Sequence, residues 1–245
     1  MIKRWIAVGF VVVLVGIFAF FIQSRFLDQS TWDSWNLPLS GKIIYIDPGH
    51  GGPDGGAEKG KAIEKDIALS VSLKLRDYLQ QQGALVLMTR EYDYDLADKD
   101  TKGLSRRKTE DLHRRAKLIN ESHADFFISI HLNAIPSARW HGAQTFYHEK
   151  FVENKIAAEM IQDELIDNLE NTNRMAKPIN HVYLLKTIKK PGVLVEIGFL
   201  SNPTERELLM DDDYQERVAA SIYEGVMRYF TEEKELQIKM EKRKN

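Results

Sequence analysis

From Gly41 onward the chain alternates between two hydrophobic patterns. Continuous apolar runs rich in Ile and Val lie at Lys42–Asp47, Ala84–Thr89, Asp125–His131, Ala143–Tyr147 and Val193–Ile197, with a weaker one near Val182–Leu185. Between them apolar residues recur with helical spacing over Ile63–Gln82, roughly Thr109–Glu121, Val152–Leu169 and Tyr214–Tyr229, which places them along one face of a helix. Strands that are apolar throughout, rather than at every second position, predict a sheet covered on both faces. The expected fold class is therefore α/β, in a single domain without internal repeats. In open α/β sheets ligands bind beyond the carboxyl ends of the strands, and that is where the chemically interesting residues of this chain fall.

The ends of the chain follow other patterns. Trp5 through Ile22 is an unbroken apolar run, preceded by Lys3 and Arg4 and followed by Gln23, Ser24 and Arg25. As a helix it would span about 27 Å, enough for a bilayer core, and the positive charges before it predict an extracytoplasmic domain. A cleaved signal peptide is the competing reading, but no small-x-small site lies near Phe20, Phe21, Ile22 and Gln23. The expected organisation is a membrane anchor or signal segment at 1–27, a linker at 28–40 carrying Trp32, Trp35 and Pro38, a catalytic domain at 41–231, and a charge-dense tail at 232–245, either a frayed helix or disordered.

The 245 residues suffice for one well-buried domain plus these attachments. Charged residues make up 29% of the chain, yet the net charge is only -2, so there is no electrostatic footprint for nucleic acid. Cysteine is absent. Disulfides and thiolate metal sites are excluded, and any transition metal must be held by His and carboxylate.

Four separated residues stand out. His50 follows the first strand in YIDPGHGG, Glu64 opens the helix that begins IEKDIALS, His131 ends FFISIH, and Glu196 sits in GVLVEIGF. Singly, the first three have ordinary readings: a His in a glycine-rich turn, a first-turn carboxylate complementing the helix dipole, a satisfied core His. Glu196 differs, because a carboxylate in so apolar a strand is costly to bury unless it is paired or functional. Together, two imidazoles and one carboxylate form a zinc-binding set that leaves a coordination position for water, with the further carboxylate available as its base. The remaining histidines, His113, His123, His141, His148 and His181, read as surface or packing residues, His181 being the one that could line a cleft.

At these positions the chain resembles the zinc-dependent N-acetylmuramoyl-L-alanine amidases of the amidase-3 class. YIDPGHGG, the Glu opening the next helix, ISIHLNA and VLVEIGFLSN carry the resemblance, supported by Thr89-Arg90, Leu112-x-x-Arg115 and Asn120. It runs from about Gly41 to Phe230. It implies a six-stranded, mostly parallel sheet wrapped by helices, one Zn2+ held by His50, Glu64 and His131, Glu196 as catalytic base, and Asn133 as an aid in orienting substrate. The implied substrate is peptidoglycan, glycan strands with stem peptides, cut at the amide between the lactyl group of N-acetylmuramic acid and L-alanine. The apolar N-terminus, the opening NLPLSGKIIYIDPGHGGPDGGA and the absence of wall-binding repeats resemble the germination-specific, spore-cortex subgroup, which implies a role on the way to muramic δ-lactam and a place at the cytoplasmic or forespore membrane.

Two departures from the family pattern matter. The stretch between Arg90 and Leu112 is longer by about a dozen residues, and with Arg106 and Arg107 near its end it is the expected seat of substrate or partner selectivity. The segment after Asn133 is short, so the inserted helix that blocks some division amidases is not expected. Three other readings are weighed against the amidase: a non-catalytic, membrane-tethered peptidoglycan-binding module, a zinc peptidase with another substrate, and, remotely, a non-haem iron site. An activating protein partner is compatible with all the zinc readings.

Overall fold

A computed structural model describes Trp5, Gly16 and residues 37–244, with side chains as far as residue 232. The chain divides into two units, Met1–Leu37 and Pro38–Asn245. Of the first, Trp5 and Gly16, both helical, and the exposed Leu37 at its end are described. The expected apolar membrane segment and Trp32 and Trp35 otherwise lie outside the described residues. Among the described residues no helix is long and apolar enough to cross a membrane.

The second unit is built on a six-stranded sheet. Its strands are β1 (Ile43–Pro48), β4 (Leu85–Met88), β5 (Phe126–Asn133), β6 (Gln144–Tyr147), β7 (Lys177–Pro178) and β8 (Gly192–Phe199), in the order β4-β1-β5-β8-β6-β7. A short hairpin, β2 (Glu58–Lys59) with β3 (Ala62–Ile63), stands apart. β4, β1, β5 and β8 run parallel, β6 pairs antiparallel with β8, and β7 pairs parallel with β6. The six-stranded, mostly parallel sheet implied by the sequence resemblance is thus present.

The helices are α1 (Glu64–Gln81), α2 (Leu104–Glu121), α3 (Val152–Leu169), α4 (Tyr183–Thr187), α5 (Pro203–Leu209) and α6 (Asp212–Lys244). Side chains alternate across each strand. On one face Ile44, Ile46, Phe126, Ile128, Ile130, Val193 and Val195 join Val71 and Leu75 of α1, Ile161 of α3 and Ile222 of α6 in the larger core. On the other, Tyr45, Phe127 and Leu194 meet Ala116 and Ile119 of α2 and Leu184 and Leu185 of α4. Each fully buried aliphatic side chain contributes about 1.5–3 kcal/mol relative to exposure, and the two-sided cover is what the continuous apolar strands predict. Leu39 is fully buried and its N–H donates to Gln82 O at 3.0 Å, so the compact body begins just before Gly41.

The weak strand expected near Val182–Leu185 is instead α4. A four-residue apolar run has no period of its own, and here a single helical turn buries Leu184 and Leu185 together against α2. The sixth strand is Lys177–Pro178, an exposed edge pair without apolar character. α2 begins at Leu104, five residues before the expected Thr109, because its first turns face solvent and the 91–103 segment rather than the core. The backbone of the charged tail continues α6 to Lys244.

Candidate metal centre and active site

Register and parity bring the site together. In β1, β5 and β8 the residues on the α2 face are Tyr45 and Asp47, Phe127, Ser129 and His131, and Leu194 and Glu196. Asp47 pairs with Ser129 and His131 pairs with Glu196 across neighbouring parallel strands. A carboxylate and an imidazole therefore project side by side at the carboxyl edge of the sheet.

Glu64 enters from the end of α1. It starts the stripe Glu64, Ile67, Ala68, Val71, Leu75 and Leu79 that α1 buries, so the amphipathic face carrying the helix into the core also carries this carboxylate into the cleft. Its Oε1 lies 3.0 Å from His131 Nδ1 and 3.2 Å from His50 Nε2. The backbone N–H groups of Leu132 and Ala57 donate to its two oxygens at 3.0 and 2.8 Å. The rings of His50 and His131 meet edge to face with centroids 5.1 Å apart.

One donor atom each from His50, Glu64 and His131 falls within 4.8 Å of the others. Their surroundings fit a divalent cation. Asp54 Oδ2 sits 2.8 Å from His50 Nδ1, which turns Nε2 toward the cluster and fixes the ring. A Cβ on Gly49 would stand 2.4 Å from the His131 ring, and one on Gly56 would stand 2.6 Å from Glu64 Oε2. Only glycine permits so close a cradle.

Without a cation the three groups hold one another. Burial works against a charge on His50, but the hydrogen bonds to Asp54 and Glu64 outweigh it and raise the imidazole to about 9. Burial would likewise raise Glu64, yet the two imidazoles hold its carboxyl well below the usual carboxylate range.

Glu196 behaves differently. Its side chain is partly open to the cleft, but Oε2 is shut off from solvent and makes no hydrogen bond. Burial pushes its carboxyl up to about 7, with Glu64 adding to the rise and the two imidazoles opposing it. An unpartnered carboxylate oxygen poised near neutrality beside a cation site is the chemistry of a general base. The three candidate ligands and Glu196 line one cavity of about 420 Å³ whose apolar walls include Leu112, Val182, Tyr183, Leu184 and Leu194. Lys108 and Asn133 supply polar groups to the same cavity.

All five expected site residues, His50, Glu64, His131, Glu196 and Asn133, meet at this cavity. His181 and the other four remaining histidines do not line it; His113 packs against the Tyr183 ring at 5.1 Å. Asn120 closes on α4, donating to Thr187 O and accepting from Lys189 N. Sequence reasoning missed Asp54 and Asp47. Asp47 is fully buried, accepting from Thr89 Oγ1, Ser129 Oγ and Arg115 Nη1 at 2.7, 2.6 and 2.8 Å. Burial opposes its charge, but Arg115 and Ser129 hold the carboxyl below the ordinary range. The signal that singled out Glu196, a carboxylate in an apolar strand, was present at Asp47 as well.

Comparison with known proteins finds relatives over most of the chain. Residues 44–228 match the family model described as N-acetylmuramoyl-L-alanine amidase. The germination-specific N-acetylmuramoyl-L-alanine amidase of Bacillus subtilis strain 168 is 58% identical over 231 residues, covering 94% of this chain and 95% of that protein. The structure of the CwlD amidase from Clostridioides difficile in complex with the GerS lipoprotein superposes with a TM-score of 0.76 at 42% identity, over 78% of this chain and 99% of that one. An N-acetylmuramoyl-L-alanine amidase from Clostridium difficile 630 gives 0.68 at 30% identity, over 78% and 97%.

Proposed function

The chain belongs to the N-acetylmuramoyl-L-alanine amidase family, and we propose that it hydrolyses the amide between the lactyl carbonyl of N-acetylmuramic acid and the L-alanine nitrogen of peptidoglycan, with His50, Glu64 and His131 holding Zn2+. Bound there, Zn2+ would polarise the carbonyl and make water acidic enough to be deprotonated near neutrality. Glu196 takes the proton from the attacking water and returns it to the alanine nitrogen as the C–N bond breaks. Asp54 keeps His50 in the tautomer whose Nε2 faces the cation, and Ala57 and Leu132 fix Glu64 through their N–H groups. Asn133, on the cavity wall, orients the substrate.

The observation that carries the reading is the orphaned Oε2 of Glu196, the direct register partner of His131 on the neighbouring strand. The test is incubation of the full-length protein with purified peptidoglycan, with and without Zn2+, followed by mass spectrometry. The expected products are peptides with a free N-terminal L-alanine, released only with Zn2+. Zinc-loaded protein that releases none from any peptidoglycan, or that cuts a bond within the stem peptide, would overturn it.

The likeness to the germination-specific relative supports spore-cortex peptidoglycan as the substrate. The apolar segment at 5–22 supports an anchor within 1–27 and a linker from 28 that ends before the buried Leu39, leaving the domain that follows and the charged tail, 232–245, outside the cytoplasmic or forespore membrane. The complex of the C. difficile CwlD amidase with a lipoprotein supports a protein partner for this chain too.

A further inference from the structure

We propose that the segment 91–103 is a brace for the metal ligand His50, and that Asp93 is the positioning residue through which it acts. The inference rests on the metal-binding reading above. It begins with backbone geometry: His50 has φ +60°, a left-handed conformation that a non-glycine residue keeps only when its surroundings impose it. Those surroundings are unusually complete. Arg90 and Arg115, each 1% exposed, donate to three successive carbonyls of the turn. Arg115 reaches Pro48 O and His50 O at 2.6 and 2.5 Å, and Arg90 reaches Pro48 O and Gly49 O at 3.2 and 2.8 Å.

The other side of the turn is held by 91–103. Asp93 Oδ1 accepts from Gly52 N–H at 2.8 Å, while Oδ2 accepts from Lys65 Nζ at 2.7 Å. Lys65 also donates to Gly52 O at 2.8 Å. The contact is close, since a Cβ on Gly51 would stand 2.3 Å from Tyr94 O.

From there the segment is fastened to α2. Arg107 donates to both oxygens of Asp95 at 2.9 and 2.6 Å, and to Asp98 O and Thr101 O. Asp111 accepts from Leu96 N–H at 2.8 Å, and Arg114 donates to Leu96 O at 2.8 Å. α2 then returns to the site, because Lys108 Nζ lies 3.1 Å from Asp54 Oδ2, the oxygen that holds His50 Nδ1. The circuit from the His50 turn through Asp93, the brace, α2, Lys108 and Asp54 back to His50 is closed. Its members fix the direction of Nε2 without themselves touching a cation. Groups in that position typically set metal affinity over about 10–100-fold.

The test measures Zn2+ affinity of the full-length protein by competition with a chromogenic chelator, with the visible absorption of the Co2+-loaded protein as a spectroscopic reading of site geometry. Asp93→Ala is expected to weaken Zn2+ binding about tenfold and alter the Co2+ spectrum, while the thermal midpoint of the metal-free protein stays unchanged. Asp93→Asn, which keeps an acceptor for Gly52 N–H, should recover part of the loss, and Lys99→Ala on the same segment should change nothing. Native-like affinity and Co2+ spectrum in Asp93→Ala would overturn the brace while leaving the metal reading intact. A loss of affinity that tracks a fall in thermal midpoint would also overturn it, marking Asp93 as merely structural. Native protein that binds neither Zn2+ nor Co2+ would defeat the metal reading itself, and the brace with it.

Discussion

Replacing Glu196 with Gln should separate catalysis from stability in opposite directions. The substitution keeps shape and volume but removes the ability to take a proton. Loss of a positioned general base lowers turnover about 10²–10⁴-fold, or about 3–5 kcal/mol of transition-state stabilisation. Zn2+ binding should survive, because His50, Glu64 and His131 meet without help from Glu196. The stability effect comes from burial. In the metal-free protein the Glu196 carboxyl titrates at about 7 against an ordinary 4.5, so the folded state holds its proton more tightly than the unfolded chain. That contribution is fully present below pH 4.5 and is lost as pH rises through 7. It amounts to about 3 kcal/mol at most, since the side chain keeps some contact with solvent. Gln does not titrate, so the variant should lack this decline and gain on the native protein at pH 8. Its buried, unpaired amide N–H would remove about 1–3 kcal/mol of the gain. Urea unfolding at pH 5 and pH 8 in the presence of a chelator measures the difference. The reasoning is refuted if the variant turns over at the native rate, or if native and variant stabilities fall in parallel between the two pH values.

Other perturbations read other parts of the site. Zn2+ affinity should fall about tenfold per pH unit below 9, because His50 must release the proton that Asp54 and Glu64 keep on it up to about 9; calorimetry in buffers of different ionisation enthalpy should detect that proton at pH 7. Gly49→Ala should weaken Zn2+ binding at least about tenfold by driving a Cβ to 2.4 Å from the His131 ring, as chelator competition would show. Asp47→Asn should cost about 3–5 kcal/mol in urea unfolding, since Arg115 loses a charged partner at 2.8 Å in a fully buried setting.

The sequence made most of the fold legible because the central strands are apolar on both faces and the principal helices repeat apolar residues at helical spacing. Residues of both kinds announce their surroundings without knowledge of their neighbours. What it left unread is whatever depends on neighbours. Lys177–Pro178 becomes a strand only because β6 lies beside it, and the first turns of α2 are stabilised by hydrogen bonds to the 91–103 segment rather than by an apolar stripe. The same division holds in the site. His50, Glu64, His131 and Glu196 were readable from residue type and position at element ends. Asp54, Lys108 and Asp93 were not, since each is an ordinary polar residue in a polar stretch until the turn folds.

α4 shows how such an unread element can matter to chemistry. Read as a weak strand, Val182–Leu185 would belong to the sheet and have no bearing on Glu196. As a helix it buries Leu184 and Leu185 and, with Val182 just before it, sets Tyr183 and Leu184 on the cavity wall, while Leu194 and Leu112 bring apolar surface from β8 and α2. These groups line the same cavity as Glu196, and burial is the largest influence raising its carboxyl. A carboxylate at the same strand end but facing solvent would titrate in the ordinary range and be a poor proton carrier near neutrality. In the proposed mechanism the strand supplies the base, and the helix beside it supplies part of the apolar surroundings that raise its carboxyl.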